Sequence, residues 1–591
     1  MPGDYREERA AGTTKIAEPG GNGEIRMTND ELAIAFHSSS RRAGIRISSL
    51  CKFASLSLFA AALFLAAGCG DRGSGTRGDV LIYAQSDDPK TLDPINTDIA
   101  EAVHVITNVF DTLVTYDETT TDLVPSLAES WQTSEDGLTW TFKLRPGVQF
   151  HDGSSCNAAA VKLTFDRLLV PLPDQVPNLS LQDGPLAHPH VYIADRPYQS
   201  AYSMIQAMET PDDLTVVFKL SHPSAIFLNN LAMFPASISS PQGLDEHGRN
   251  FAEHPVGTGP FKFVKWNRGQ RIVLERFAEH WRGPAKIKTL IIVPVQENAT
   301  RMQRLERGEI HIAEGLSPAE LDVLAKNQKL VVQSHEAMNV AYLTMNVEKS
   351  PLGNRKVREA IALAIDKKTL LQIGYGGNAQ VGVSMVPPTM WGHDKTLEDR
   401  PFDLAKAKQL MKEAAKEEGL KLPIKLELSV MNQARTYLQQ PLPMAKFLKD
   451  SLLAVGIELS IRGRDVSEHF RALMAGEHQL GLAGWNSDNN DPDNFLYSLC
   501  DQDNISKAGN NLSRFRSDKL HELLIAGQKE MDRERRLKIY SDAQRLILQE
   551  VPVVPLAHTQ IRTAHVRGLA GFQLHTTALV RFRKAHFEAA K

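Results

Sequence analysis

The stretch 484–500, GWNSDNNDPDNFLYSLC, sets Asp488, Asp491 and Asp493 among asparagines and a proline, between a tryptophan and a short aromatic run. Carboxylates so close together can hold a cation, cap a helix or receive an ammonium group. Calcium is the poorest fit. A calcium loop counted from Asp488 needs Gly at its sixth place and Glu at its twelfth, where Asp493 and Leu499 stand, and its fifth place is Pro492. Capping suits Asp491 and Asp493, since DPDNF reads as a helix entry. For Asp488 both capping and ligand binding remain open. Arg435, in VMNQARTYLQQP, is the complementary candidate. Its planar guanidinium can hold a carboxylate through two parallel hydrogen bonds, which lysine cannot imitate. The bland alternative is an arginine on a solvated helix start. Trp485 is either a core tryptophan or an apolar wall that excludes water and strengthens charged contacts, and the two roles are compatible.

Catalytic motifs fail on their defining residues. His521-Glu522 begins an HExxH pattern, but its second ligand position holds Ile525; Gly257-Thr258-Gly259 lacks the third glycine of a nucleotide fingerprint, with Lys262 in its place. No Walker lysine, nucleophile elbow or paired cysteine motif is present. The 19 histidines are scattered, which argues for surface and capping roles rather than a metal site. A net charge of −3 with 23% charged residues gives no basic excess for nucleic acid.

The elements around the candidates place them at strand ends. Leu480, Leu482 and Trp485 feed the aspartate-rich loop as a strand over 479–483, and a strand over 424–430 ends just before Arg435. Between them lie a helix around 443–455, a strand over 457–461 and a helix over 466–475. Strands alternating with helices at this spacing predict an open α/β sheet with its ligand at the strand ends. Upstream, the spacing predicts a helix over 354–373 with Val357, Ile361 and Ile365 on one face, and another over 403–416 with Asp403 as N-cap. The earlier part reads differently. After a strand at 80–84 and a helix over 98–113, alternating Trp140, Phe142 and Leu144, a turn at 145–147 and a return through Val148 and Phe150 predict β-hairpins, as do 261–265 and 272–274 around the turn at 267–270. Segment 171–197 is Pro-rich and reads as a long loop. Helices over 518–530 and 533–550 precede the last strands. With 591 residues, several domains are expected.

These motifs carry a resemblance. The pattern GW-x-x-D-x-x-DPDNF, with PSLAESW (125–131), DGLTWTFKLRPGVQFHDG (136–153), GTGPFKFVKW (257–266) and KVREAIALAID (356–366), resembles the family 5 solute-binding proteins of ABC importers, in order from about residue 80 to the end. PPTMWG (387–392) and GEHQ (476–479) bring it nearest the dipeptide-binding branch. The resemblance implies an α/β, two-lobed periplasmic-binding-protein fold of class II type with an extra β-rich domain. Lobe I would comprise 79–112, 255–338 and 556–591, the accessory domain 113–254 and lobe II 339–555, with the crossing segments as a hinge. It implies a monomer without enzymatic activity, cofactor or metal, which captures short peptides, dipeptides first, and delivers them to an ABC permease. In such relatives an Arg followed two residues later by Tyr, here Arg435 and Tyr437, receives the ligand carboxylate, and the Asp three residues after the Trp, here Asp488, receives the ammonium. Some relatives close a small loop with a disulfide starting where Cys500 stands; the partner position here is Arg516, so Cys500 is expected to be unpaired. Nickel, haem, glutathione or a longer peptide remain alternative cargoes, and a secreted peptidase the rival from another class.

The first 78 residues read as export machinery. Arg41, Arg42, Arg46 and Lys52 precede an uncharged run over 53–68 that ends LFLAAGC at Cys69. A basic region, a short apolar region and small residues before a cysteine describe a signal segment over 1–68 whose cleavage leaves Cys69 first, as in a bacterial lipoprotein. The usual Leu three residues before that cysteine is Ala66 here, with Leu65 one step further out. The uncharged run is shorter than the ~20 residues that span hydrocarbon. The long acidic beginning suggests translation from Met27 rather than Met1. Residues 69–78 then form a flexible tether, and the protein is expected in the periplasm or at the cell surface, anchored through lipid on Cys69.

Overall fold

The computed structural model describes residues 79–97, 99–169, 198–506 and 509–588. The expected signal segment, the lipidation candidate Cys69, the tether and the whole of the Pro-rich 171–197 segment lie outside the described residues.

The described chain opens with strand β1 (Val80–Gln85) and helix α1 (Ala100–Val109), which buries Val105, Ile106 and Val109. It then builds a separate antiparallel layer. Strands β2 (Ala128–Thr133) and β3 (Thr139–Leu144), helix α2 (Ala158–Leu169), and strands β4 (Ile205–Asp212) and β5 (Thr215–Leu220) give a sheet in the order β2-β3-β5-β4. Inward residues of β3 and β5 meet α2 edge to face: the Phe142 and Phe218 rings lie 5.5 Å apart and those of Phe165 and Phe218 5.1 Å apart. Aromatic pairs in this geometry add to the burial itself. Val148 and Phe150 do not return as a strand along β3. They are buried in this core, but β3 pairs with β2 and β5, and residues 149 and 155 form only an isolated bridge. Thr215–Leu220, distant in sequence, supplies the partner that local alternation assigned to 148–150.

The chain then returns to the sheet of β1 through β6 (Phe261–Asn267), β7 (Arg271–Arg276), β8 (Thr289–Pro294) and β9 (Ile312–Ala313). β6 and β7 form the expected hairpin, while β8 and β9 flank β1 in parallel. A second α/β group contains β10 (Asn339–Met345), β11 (Ile424–Met431), helix α3 (Pro441–Leu453), β12 (Ile457–Arg464), helix α4 (Val466–Met474) and β13 (Leu480–Asn486). β11 lies parallel to β12 and to β13, so α3 and α4 are the crossovers that parallel strands require. After α5 (Asp493–Cys500), α6 (Asp518–Lys529) and α7 (Arg533–Glu550), strand β14 (Val553–Val566) pairs with β10 through its first half and with β9 through its second. One strand thus joins the two sheets in the order β12-β11-β13-β10-β14-β9-β1-β8-β7-β6.

This is the expected two-lobed α/β architecture with a β-rich addition. The helix expected over 354–373 is two helices, Arg355–Leu363 and Lys367–Tyr375, because Asp366 ends the first and caps the second, accepting from the Lys368 and Thr369 backbones. Asp403 caps Leu404–Glu418 as expected, through the Lys406 N–H. Cys156 and Cys500 are buried free thiols, and burial pushes both up to about 12. Among the described residues no helix is long and apolar enough to cross a membrane.

Candidate ligand site at the ends of two parallel strands

Because β11 and β13 run parallel, paired at Leu428 with Leu480 and Ser429 with Gly481, the loops that follow them leave the sheet on the same edge. Arg435 and Tyr437 sit on the first loop, Asp488 on the second, and Trp485 at the end of β13. The first loop is a tight turn closed by two backbone bonds between Arg435 and Leu438, 2.9 and 3.0 Å. It is pinned to its neighbours on both sides. Thr436 Oγ1 pairs with the Asn486 side chain (3.1–3.2 Å), and the Thr559 hydroxyl of β14 donates to Thr436 O (2.9 Å).

Gly484 explains how the two loops meet. A Cβ there would lie 2.1 Å from Tyr437 Cδ2, so only glycine lets the Tyr437 ring lie on the backbone of β13. Gly392, in the PPTMWG motif, does the same for Pro492, whose Cγ would be 2.0 Å from an added Cβ. Both sequence motifs therefore dock on the aspartate-rich loop. Tyr437 is buried, which pushes its phenol up to about 12, against the pull of the nearby Arg435 charge.

Asp488 is half-buried, and Tyr198 and Asn494 are among the groups that hold its carboxylate. Tyr198 O–H donates to Oδ1 (3.1 Å) and Asn494 Nδ2 to Oδ2 (3.2 Å). Asn494 also accepts from the Asp488 backbone (3.0 Å) and from Trp485 Nε1 (2.9 Å), fixing both candidates with one amide. Trp485 is half-buried and packed on the core of Met338, Val340 and Leu496. The guanidinium of Arg435 is half-buried and makes no ion pair or hydrogen bond among the described residues. Arg435, a cation without an ionic partner among the described residues, and the Asp488 carboxylate thus stand on adjacent loops, one charge of each sign.

The other aspartates serve the frame. Asp491 is 1% exposed and forms a two-pronged ion pair with Arg536 of α7 (2.8 and 3.0 Å), while also accepting from the Asp493 backbone (3.1 Å). Arg536 in turn donates to Gly527 O and to Tyr540 O–H, and its guanidinium is held above its ordinary value: burial opposes this but Asp491 outweighs it. Asp493 begins α5, but its side chain caps nothing; Gln528 Nε2 lies 3.3 Å from its Oδ2. Burial, then the neighbouring Asp491, pushes it up to about 8. His521, which opens the failed HExxH pattern, is turned to Asp501, 3.1 Å from both carboxylate oxygens.

The loop also reaches the β-rich layer. Besides Tyr198 to Asp488, Asn229 Nδ2 donates to Asn489 O (2.7 Å), Asn489 Nδ2 to Asn230 Oδ1 (2.7 Å), and Asn490 Nδ2 to Thr121 O (2.9 Å). Sequence reasoning missed Asn494 and Tyr198. Asn494 carried a signal, being part of the DPDNF motif, but Tyr198 is 290 residues from Asp488 and nothing local pointed to it.

Residues 122–507 match the model of the bacterial extracellular solute-binding proteins, family 5. The chain belongs to this family. Among family 5 relatives, a dipeptide-binding protein of Pseudomonas aeruginosa is 31% identical over 84% of this chain and 92% of its own length. Heme-binding protein A of Haemophilus influenzae is 30% identical over 76% of this chain and 82% of its own. In three dimensions the chain is similar to an ABC transporter-associated periplasmic binding protein, DppA from Helicobacter pylori, in complex with the peptide STSA. The TM-score is 0.75 at 31% identity, covering 86% of this chain and 98% of that one. The two-lobed fold with its β-rich addition is thus the fold of family 5.

Proposed function

We propose that this protein is an extracytoplasmic solute-binding protein that captures short peptides, dipeptides first, and delivers them to an ABC import permease. Arg435, with Tyr437, receives the peptide carboxylate, Asp488 the ammonium, and Trp485 forms the apolar wall that excludes water and strengthens both contacts. The observation that carries this reading is the placement of complementary charges, Asp488 and an Arg435 that has no ionic partner among the described residues, on the adjacent loops that follow two parallel strands. Both grips then measure a single zwitterion. The lobes divide at 79–112, 255–338 and 556–591 against 339–555, with 113–254 as the accessory domain, and they close about the crossing segments by a hinge motion. The bond from Tyr198 to Asp488 supports closure over a ligand held at the loop. Capture proceeds without covalent chemistry, and the protein acts as a monomer held at the membrane by lipid on Cys69.

The test is calorimetry with Ala-Ala on wild type, Arg435→Ala and Asp488→Ala. Removing one partner of a desolvated charged contact costs ~2–5 kcal/mol, or about thirty- to several-thousand-fold in affinity. A variant within about threefold of wild type removes that residue from the site. Mass spectrometry of the recovered peptide separates binding from the peptidase alternative: intact peptide supports the proposal and cleaved peptide overturns it. The haem-binding relative keeps a second cargo in view, and a haem absorbance band on the purified protein, with no measurable peptide binding, would favour it. For the anchor, Cys69→Ser protein should be released or left unprocessed; a variant that is cleaved at the same place and still partitions with membranes as wild type does would refute lipidation.

A further inference from the structure

A cavity of about 70 Å³ lies among α1, the segment 232–237, the loop 280–282 and the C-terminal segment 579–583. One water needs about 10–15 Å³ of such volume, so there is room for a small polyatomic ion of roughly five heavy atoms. Three of its lining residues are arginines: Arg282, Arg581 and Arg583. Arg583 is neutralised by Glu118 (2.9 Å), which also takes Lys584. Arg581 and Arg282 have no carboxylate within ion-pair distance among the described residues. Arg581 donates to Tyr116 O (3.1 Å) and Thr115 Oγ1 (2.9 Å), which uses two of the five N–H groups a guanidinium carries. Arg282 donates to Pro125 O (3.0 Å) and lies over the Trp281 ring (4.4 Å), with Arg145 also near that ring (5.0 Å).

The other acid in the lining is Asp111, which already receives Trp281 Nε1 and Thr258 O–H, both at 3.0 Å. His280, 4% exposed, places Nδ1 3.0 Å from Gly283 O; its Nε2 has no hydrogen-bond partner among the described residues, and Asp111 Oδ2 lies 3.6 Å away. Burial, then the neighbouring Arg282, holds the Arg581 guanidinium below its ordinary value. Like charges facing a shared desolvated space are costly unless an anion lies between them. Guanidinium groups match the oxygen spacing of phosphate and sulfate, and unused N–H donors line the same space.

We propose that this cavity binds a small tetrahedral oxyanion, inorganic phosphate or sulfate, with Arg581 and Arg282 as its charged ligands. None of its lining residues belongs to the Arg435–Asp488 site. A bound oxyanion joins the C-terminal segment that carries Arg581 to the strand residues Thr115 and Tyr116 that Arg581 already grips, and so stiffens the junction between the first lobe and the β-rich layer.

Crystals grown without phosphate or sulfate and soaked in selenate test this directly. The expected result is an anomalous selenium peak inside the cavity, between the Arg282 and Arg581 guanidinium groups, and its loss in Arg581→Gln. In solution, inorganic phosphate titrated at constant ionic strength should bind at least tenfold more weakly to Arg581→Gln, or to Arg282→Gln if the first variant does not fold. Arg435→Ala should bind phosphate as wild type does, whatever happens to its peptide affinity, so the two sites can fail independently. An empty cavity in selenate-soaked wild-type crystals, or unchanged phosphate affinity in the folded arginine variants, overturns the proposal.

Discussion

Replacing Gly484 with alanine should weaken ligand binding through its packing against Tyr437. The added Cβ would stand 2.1 Å from Tyr437 Cδ2, about 1.3 Å short of the 3.4 Å at which ordinary contact begins. Neither side can give easily. Gly484 is paired with Ala341 in the sheet, and Tyr437 is buried between the strand and the Tyr375 hydroxyl that donates to its carbonyl (2.9 Å). The turn from Arg435 to Leu438 therefore has to lift by more than an ångström, carrying Arg435 with it. A charge-assisted bond of about 2.8 Å moved that far passes beyond the ~3.5 Å at which it is largely lost. The expected cost in binding is ~1.5–3 kcal/mol, or roughly ten- to a hundredfold in affinity for Ala-Ala. Overpacking of this kind should also destabilise the fold by ~1–3 kcal/mol. Adding Tyr437→Ala should return part of that stability, since the clash needs both side chains. Calorimetry and urea unfolding read the two effects separately. Ala-Ala affinity within about threefold of wild type would refute the link from Gly484 through Tyr437 to Arg435.

Two further outcomes test the frame around the loop. Asp493, pushed up to about 8 in the fold, binds its proton more tightly there than in the unfolded chain, so its contribution is fully present below about pH 4 and lost as pH rises through about 8. In urea unfolding between pH 5 and 8, wild type should lose about 1.4 kcal/mol per pH unit relative to Asp493→Asn, and parallel stability curves would contradict this. Arg536→Ala leaves Asp491 buried without its cation and should cost about 3–5 kcal/mol by the same assay, whereas a cost below about 1 kcal/mol would show that the pair holds nothing together.

What the sequence displayed was local. Asp, Asn and Pro specify turns, so the loop at 487–492 and its place after a strand could be read directly, as could the cap at Asp403. The alternation in 261–274 gave a true hairpin because both partners lie within one turn of each other. Local pattern failed where a distant segment supplied the partner. Val148 and Phe150 alternate like a strand, yet Thr215–Leu220 takes the place beside β3. The apolar periodicity across 354–373 runs through Asp366, whose capping of the Lys368 and Thr369 backbones breaks the helix in two. Within the site, Arg435, Tyr437, Trp485 and Asp488 could be nominated from residue type and motif. Their supports could not: Tyr198 reaches Asp488 across 290 residues, and the reason for Gly484 lies in a ring 47 positions upstream.

The central claim is that the protein reads both ends of one short zwitterion, and competition among Ala-Ala, Ala-Ala-Ala and their blocked forms tests it most directly. Each added residue moves one terminus by up to ~3.3–3.6 Å, more than a hydrogen bond tolerates. Ala-Ala-Ala, N-acetylated Ala-Ala and amidated Ala-Ala should each bind more weakly than Ala-Ala by ~1.5–3 kcal/mol, roughly ten- to a hundredfold, while side-chain changes in the dipeptide matter less. Equal affinity for all four would contradict the account, because the charged ends would then not be what Arg435 and Asp488 recognise.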